Sequence, residues 1–233
     1  VKIIRVLFGT QPKQDEQNRI LARYNKMHSD IEELKKRPYH DFTAITFGDK
    51  NTFLANENGF KCCQCWDAPY KYDPLKETYI HKLYAIQFAF EKYGEDVLYL
   101  DWDCLPIRPF NDSEFKWNSK ITANLQTYRN GGKAYWRKDS NVLLNGGFLH
   151  IDNPDIIDGI MRLYEQEKSE GHAVHNDEPI LMKWVENHYG WDRAKWEEMF
   201  EAKQCRLNRM GVYPNKDAFF VHYIGSLPNR FRR

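Results

Sequence analysis

Val97-Leu98-Tyr99-Leu100-Asp101-Trp102-Asp103 is an apolar run that ends abruptly in two carboxylates one residue apart. Four consecutive large apolar residues read as a buried strand. Strand side chains alternate faces, so positions i and i+2 point the same way. If strand geometry persists to the end of the run, Asp101 and Asp103 project together, and Trp102 faces the opposite side, into packing. Two adjacent carboxylates repel each other unless a cation joins them. Carboxylate oxygens suit hard divalent ions such as Mg²⁺ and Mn²⁺, which commonly partner phosphate groups. The carboxyl end of a strand is also where open α/β sheets bind ligands. Taken alone, the Asp-x-Asp pair also fits a solvated turn in which one Asp caps backbone N–H groups.

Outward from this run, strand and helix patterns alternate. Lys2–Phe8 reads as the first strand, ending at Gly9-Thr10. Residues 14 to 36 carry Ile20, Leu21, Tyr24, Met27, Ile31 and Leu34 at helical spacing, and Pro38 closes that segment. Phe42–Phe47 is a second strand, and Gly48-Asp49-Lys50-Asn51 reads as a turn. Asn56–Asp73 shows no clear period. Leu75–Tyr93 is helical, with Ile80, Leu83, Tyr84, Phe88 and Phe90 inward and Gly94 as its C′ residue. Pro106 and Pro109 break the chain after the carboxylate pair. Lys120–Leu125 and Val142–Ile151 are further strands, separated by Asn130-Gly131-Gly132. Pro154–Lys168, Asp177–His188 and Asp192–Ala202 are helices, and Ala218–Tyr223 is a last strand. This alternation predicts an α/β fold, with a mostly parallel sheet flanked by helices. No repeat, linker or low-complexity segment interrupts it, so residues 1–233 are expected to form a single domain.

Composition narrows the function classes. The chain has 233 residues, 42% of them apolar, enough for a full core. Lys and Arg number 34 against 33 Asp and Glu, a balance that does not mark a nucleic-acid binder. The basic cluster Arg230-Phe231-Arg232-Arg233 reads as a solvated tail or as a phosphate or acceptor contact. No apolar run approaches the ~20 residues of a membrane span, and no signal peptide pattern opens the sequence. Cys62, Cys63 and Cys65 lack the matched second group that zinc requires. Reduced thiols point to a cytoplasmic protein.

Several other positions carry candidate chemistry. Asn145-Gly146-Gly147 interrupts an apolar strand, which marks a bulge or the close approach of a substrate or a neighbouring strand. The Asn145 amide is suited to sugar hydroxyls. His175-Asn176-Asp177-Glu178 precedes an apolar-periodic helix; Asn and acidic residues favour that position as caps, and a helix start is also a place from which Asp177 could project into a cleft. His222 ends the last strand and would complete Mn²⁺ coordination if it meets Asp101 and Asp103. Lys82, on the helix before the carboxylate strand, reads as a solvated face or a phosphate partner, with Tyr79 and His81 near it. His172 and His175 read as solvent-exposed or acceptor-facing.

These landmarks together resemble a GT-A-fold (Rossmann-like) glycosyltransferase. They are most similar to the retaining, metal-dependent enzymes of the glycogenin and bacterial galactosyltransferase type (glycosyltransferase family 8 and its relatives). The resemblance rests on Ile3–Phe8 with Gly9-Thr10, Thr78–Leu83, Val97–Asp103, Leu144–Asp152, Asn176-Asp177-Glu178-Pro179 and Val221-His222-Tyr223-Ile224-Gly225, which occur in the family's order. It implies a Mn²⁺ or Mg²⁺ ion held by Asp101, Asp103 and His222, bridging the diphosphate of a nucleotide-sugar, by family habit a UDP-sugar. It also implies nucleotide or donor contacts from Gly9, Thr10, Gln11, Lys82, Gly146 and Gly225, with Asn145 and Asp177 beside the sugar and Asp177 nearest the reacting centre. Two departures stand out: Tyr93-Gly94-Glu95 replaces the family's Gly-Gly, and Ser226-Leu227-Pro228-Asn229-Arg230 replaces its Lys-Pro-Trp, with Arg230 a substitute for that Lys at a different spacing. The acceptor implied is a glycan, a lipid-linked sugar, a protein or modified DNA, in a bacterial or viral setting. Rival readings are a haloacid-dehalogenase-like phosphatase, a nucleotidyltransferase and a non-catalytic sugar-binding protein.

Overall fold

In the computed structural model, residues 1–8, 27–65, 80–117, 119–127, 142–172, 177–200, 202–207 and 218–223 are described. The apolar runs pair into a six-stranded sheet made of β1 (Lys2–Leu7), β2 (Thr43–Thr46), β3 (Cys62–Gln64), β4 (Val97–Leu100), β6 (Ile121–Thr127) and β7 (Val142–Ile151). Its order is β3-β2-β1-β4-β7-β6. β1, β2, β3 and β4 run parallel, so their carboxyl ends share one edge. β7 runs antiparallel to both β4 and β6. A smaller sheet of β5 (Cys104–Pro106), β8 (Cys205–Leu207) and β9 (Phe220–His222) has the order β5-β9-β8.

Alternation along the central strands divides the core. Ile4, Val6, Val97 and Tyr99 face a cluster built with helices α3 (Ile80–Tyr93), α4 (Pro154–Ser169), α5 (Asp177–Tyr189) and α6 (Arg193–Phe200). Ile3, Leu98 and Leu100 face an aromatic cluster with Phe115, Phe148, Phe219 and Phe220. Leu7 and Ala44 face Ile31 and Leu34 of a helix, α1, described over 27–35, and Leu54 and Ala55 of α2 (Asp49–Glu57). Both faces of the sheet are thus covered, and each fully buried Leu, Ile or Phe contributes roughly 1.5–3 kcal/mol. Local signals behave as their chemistry requires. The Asn153 side chain accepts from Asp155 N–H at 2.9 Å to cap α4 ahead of Pro154. Gly94, at φ 65°, ends α3.

The structure corrects one sequence expectation and adds short elements at two other places. The Gly48-Asp49-Lys50-Asn51 segment is not a free turn but the start of α2; Asn51 donates to the Phe47 carbonyl at 2.6 Å from within the helix. Asn56–Asp73 contains β3, whose three residues are too few to show a period. Pro106 ends a strand, β5, rather than merely breaking the chain. No described helix is long and apolar enough to cross a membrane.

Candidate metal and substrate site

The carboxylate pair does not continue the strand. β4 stops at Leu100, and residues 101–104 form a turn closed by Cys104 N–H donating to the Asp101 carbonyl at 2.9 Å. This turn carries the chain from the large sheet to the small one. Asp101 N–H donates to the Gly147 carbonyl at 2.8 Å, and Tyr223 N–H donates to the Asp103 carbonyl at 3.0 Å. Trp102 turns away as expected: its indole N–H donates to the Val6 carbonyl at 2.7 Å, and its ring is buried.

The turn brings both carboxylates to the last described strand, β9. His222 Nε2 lies 3.2 Å from Asp103 Oδ1 and 3.8 Å from Asp101 Oδ2. One ligand atom from each of Asp101, Asp103 and His222 falls within 4.8 Å of the others. Burial disfavours charge on His222, but its hydrogen bond to Asp103 and the charges of Asp103, Cys104 and Asp101 push its pKa up to about 9. Two oxygen donors and one imidazole nitrogen fit a hard to borderline divalent cation. The surroundings fit as well. A Cβ on Gly147 would lie 2.0 Å from His222 Cε1 and 2.8 Å from Asp101 Oδ2, so only glycine leaves this cradle open.

Lys82, on α3, reaches Asp101 as well, and joins it to Asp177. Its Nζ lies 3.1 Å from both oxygens of Asp101 and 3.5 Å from Asp177 Oδ2. Burial pulls its pKa down, yet Asp101, Asp177, Tyr99 and Glu178 outweigh that and hold it well above its ordinary value. Lys82 is therefore a buried, permanently charged cation rather than a solvated helix face. Its neighbour His81 is core: its ring stacks on Phe8 at 5.3 Å and meets Phe47 edge-on at 5.0 Å.

Gly146, beside Gly147, makes room for Asp177. The register between β6 and β7 jumps from Ala123↔Leu149 to Asn124↔Asn145, leaving residues 146–148 as a bulge beneath the site. Asn145 Oδ1 accepts from Gly147 N–H at 3.0 Å and thereby fixes the bulge. A Cβ on Gly146 would lie 2.2 Å from Asp177 Oδ2. Asp177 opens α5 and is buried there. Burial, and then Asp101, raise its pKa against the opposing pull of Lys82. Glu178 is pushed up to about 7 by burial and by Asp177, against Lys82 and a hydrogen bond from the Gly146 backbone.

The structure thus brings together Asp101, Asp103, His222, Lys82, Asn145, Gly146 and Asp177. Gly9, Thr10, Gln11, His175, Gly225 and Arg230 lie outside the described residues. His172 stands elsewhere, 2.9 Å from buried Glu167, which also holds Lys183. Three contributors escaped sequence reasoning. Tyr99, two residues before Asp101, donates its hydroxyl to Asp101 Oδ1. Glu178 reads as a first-turn acid within the Asn176–Pro179 landmark, with no role of its own. Arg5 is a charge inside an apolar strand, and that break in the pattern was its available signal. The chain matches no protein-family model and none of the curated proteins with which it was compared.

Proposed function

We propose that this chain is a GT-A-type glycosyltransferase that moves a sugar, with retention, from a nucleotide diphosphate sugar, by family habit a UDP-sugar, to an acceptor hydroxyl with the aid of Mn²⁺ or Mg²⁺. The observation that carries this reading is the convergence of Asp101, Asp103 and His222 beside Lys82 and Asp177, at the carboxyl ends of the parallel strands β1 and β4. Open α/β sheets bind ligands at that edge. When bound, the cation would neutralise the negative charge that develops on the departing diphosphate.

The chain's own residues supply the rest. Asp101, Asp103 and His222 hold the cation, and the turn at 101–104 sets their spacing. Lys82 adds a fixed positive charge that stays in place when the site changes charge, because Asp177 and Asp101 both anchor it. Asp177, above the bulge at Gly146, presents a buried carboxyl to the hydroxyls of a sugar. Glycosyl transfer passes through an oxocarbenium-like state, which anionic groups beside the sugar stabilise.

The test is a screen of nucleotide-sugars scored for Mn²⁺-dependent hydrolysis and transfer. Wild type should release nucleoside diphosphate from one donor class only when Mn²⁺ or Mg²⁺ is present. Asp103→Asn and Asp103→Ala should abolish that turnover while the thermal transition remains cooperative. Full turnover by either variant would remove the assignment.

A further inference from the structure

Arg5 is the least expected residue on β1. Its flanking same-face neighbours, Ile3 and Leu7, are apolar core, yet Arg5 is fully buried among them. A buried guanidinium without compensation costs several kcal/mol, on the order of what breaking a buried ion pair costs. No carboxylate oxygen lies in a described hydrogen bond with it. Its partners are instead main-chain carbonyls at the two ends of one turn. Nη1 donates to the Asp101 carbonyl, and Nη2 donates to the Cys104 carbonyl at 2.8 Å. Nη2 also lies 3.3 Å from His40 Nε2, and the rings of Phe42 and Trp102 lie 5.3 and 5.6 Å from the guanidinium carbon.

We propose that Arg5 is the positioning residue of the Asp101–Asp103–His222 site, its two-pronged guanidinium clamping both ends of the 101–104 turn from beneath so that the two carboxylates meet His222. The inference rests on the reading of that triad as a divalent-cation site. Three features carry it. The planar fork matches two carbonyls at once, which a lysine ammonium on its single stem does not. β1 grips the same turn a second time, because the next residue, Val6, accepts from the Trp102 indole. The charge of Arg5 also interacts favourably with the carboxylates of Asp101 and Asp103, which offsets part of the cost of burying the arginine. The residue thus couples the middle of the first strand to the angle at which Asp101 and Asp103 are presented.

The experiment is Mn²⁺ binding to wild type, Arg5→Lys and Arg5→Met, read as loss of the free-ion electron paramagnetic resonance signal. Thermal unfolding of each metal-free protein is measured alongside. Outer-sphere partners of metal ligands typically change affinity 10–100-fold. The expected result is a loss of about that size in both variants, each still unfolding cooperatively. Wild-type affinity in both variants would overturn the proposal. Wild-type affinity in Arg5→Lys alone would overturn the clamp, since charge would then suffice. Failure of both variants to fold would overturn it as well, in favour of a role in stability alone. Wild type that binds no Mn²⁺ would remove the cation reading and this proposal with it, an outcome distinct from the others.

Discussion

Gly147→Ala isolates the geometry of the site from its chemistry. The glycine has no positive φ, so alanine adopts its backbone conformation without strain. The whole perturbation is one methyl group. It would lie 2.0 Å from His222 Cε1, 2.5 Å from Nε2 and 2.8 Å from Asp101 Oδ2. Carbon atoms rest about 3.5–4.0 Å apart, so the imidazole must retreat by roughly 1.5 Å. Metal sites tolerate ligand displacements of about 0.2 Å, several times less than this. Inserting a methyl group into a packed region costs roughly 1–3 kcal/mol. For a chain of this size that corresponds to a fall in Tm of about 2–12 °C. Mn²⁺ affinity should fall by at least about 100-fold, the upper range for disturbing even an outer-sphere partner. Gly159→Ala is the control. Its Cβ would lie 2.6 Å from Trp184 Nε1, within the packing of α4 on α5. That variant should lose comparable stability and keep its Mn²⁺ affinity. Calorimetry or fluorescence gives Tm, and paramagnetic resonance gives Mn²⁺ binding. If Gly147→Ala binds Mn²⁺ as wild type does, the ligand assignment of His222 is refuted.

Gly146→Ala pushes on Asp177 instead, whose Oδ2 would lie 2.2 Å from the new methyl group. It should keep Mn²⁺ binding and lose sugar transfer, separating the two halves of the site in one titration and one product assay. Lys82→Met leaves the carboxylates of Asp101 and Asp177 without their shared cation. Removing one partner of a buried pair costs roughly 3–5 kcal/mol, so the metal-free variant should show a clearly lowered Tm, partly restored by Mn²⁺. Glu178 has its pKa raised from 4.5 to about 7 in the folded chain. The folded state therefore holds its proton more tightly than the unfolded state, and this contribution is full below the unfolded value and is lost as pH rises from 4.5 to about 7. Glu178→Gln should flatten the fall in metal-free stability across that window, measured by denaturant titration at several pH values; an unchanged slope would refute the assignment.

Much of this architecture was readable because the strongest elements are locally consistent, and most of them are long. β4, β7 and the helices α3, α4 and α5 follow their hydrophobic periods, and Gly94 ends α3 as its position suggests. The elements that escaped are short or carried by distant partners. α2 opens with Gly48, Asp49 and Asn51, residues that favour turns, and of its side chains only Asn51, Leu54 and Ala55 are buried. β3, β5 and β8 have three residues each and pair only because the rest of the fold delivers their neighbours. The candidate site was legible in its parts. Asp101, Asp103 and His222 were identified by residue type and placement at strand ends, although a turn rather than continued strand geometry makes the two carboxylates converge. Arg5 and Tyr99 were not, since an arginine serving two backbone carbonyls and a tyrosine serving one carboxylate leave no spacing pattern.

The turn between the two sheets also bears on how the protein assembles. The residues that meet across it, Asp103 and His222, are separated by about 120 residues of chain, and closing a loop of that length costs on the order of 4 kcal/mol in entropy beyond the length-independent part. β9 lies between β5 and β8, so its docking joins segments far apart in sequence. Contacts of such long range are expected to form late in folding. An ion that bridges the turn and β9 would act as a removable cross-link between two regions of the chain. It would slow the unfolding of the small sheet while leaving its rate of formation nearly unchanged.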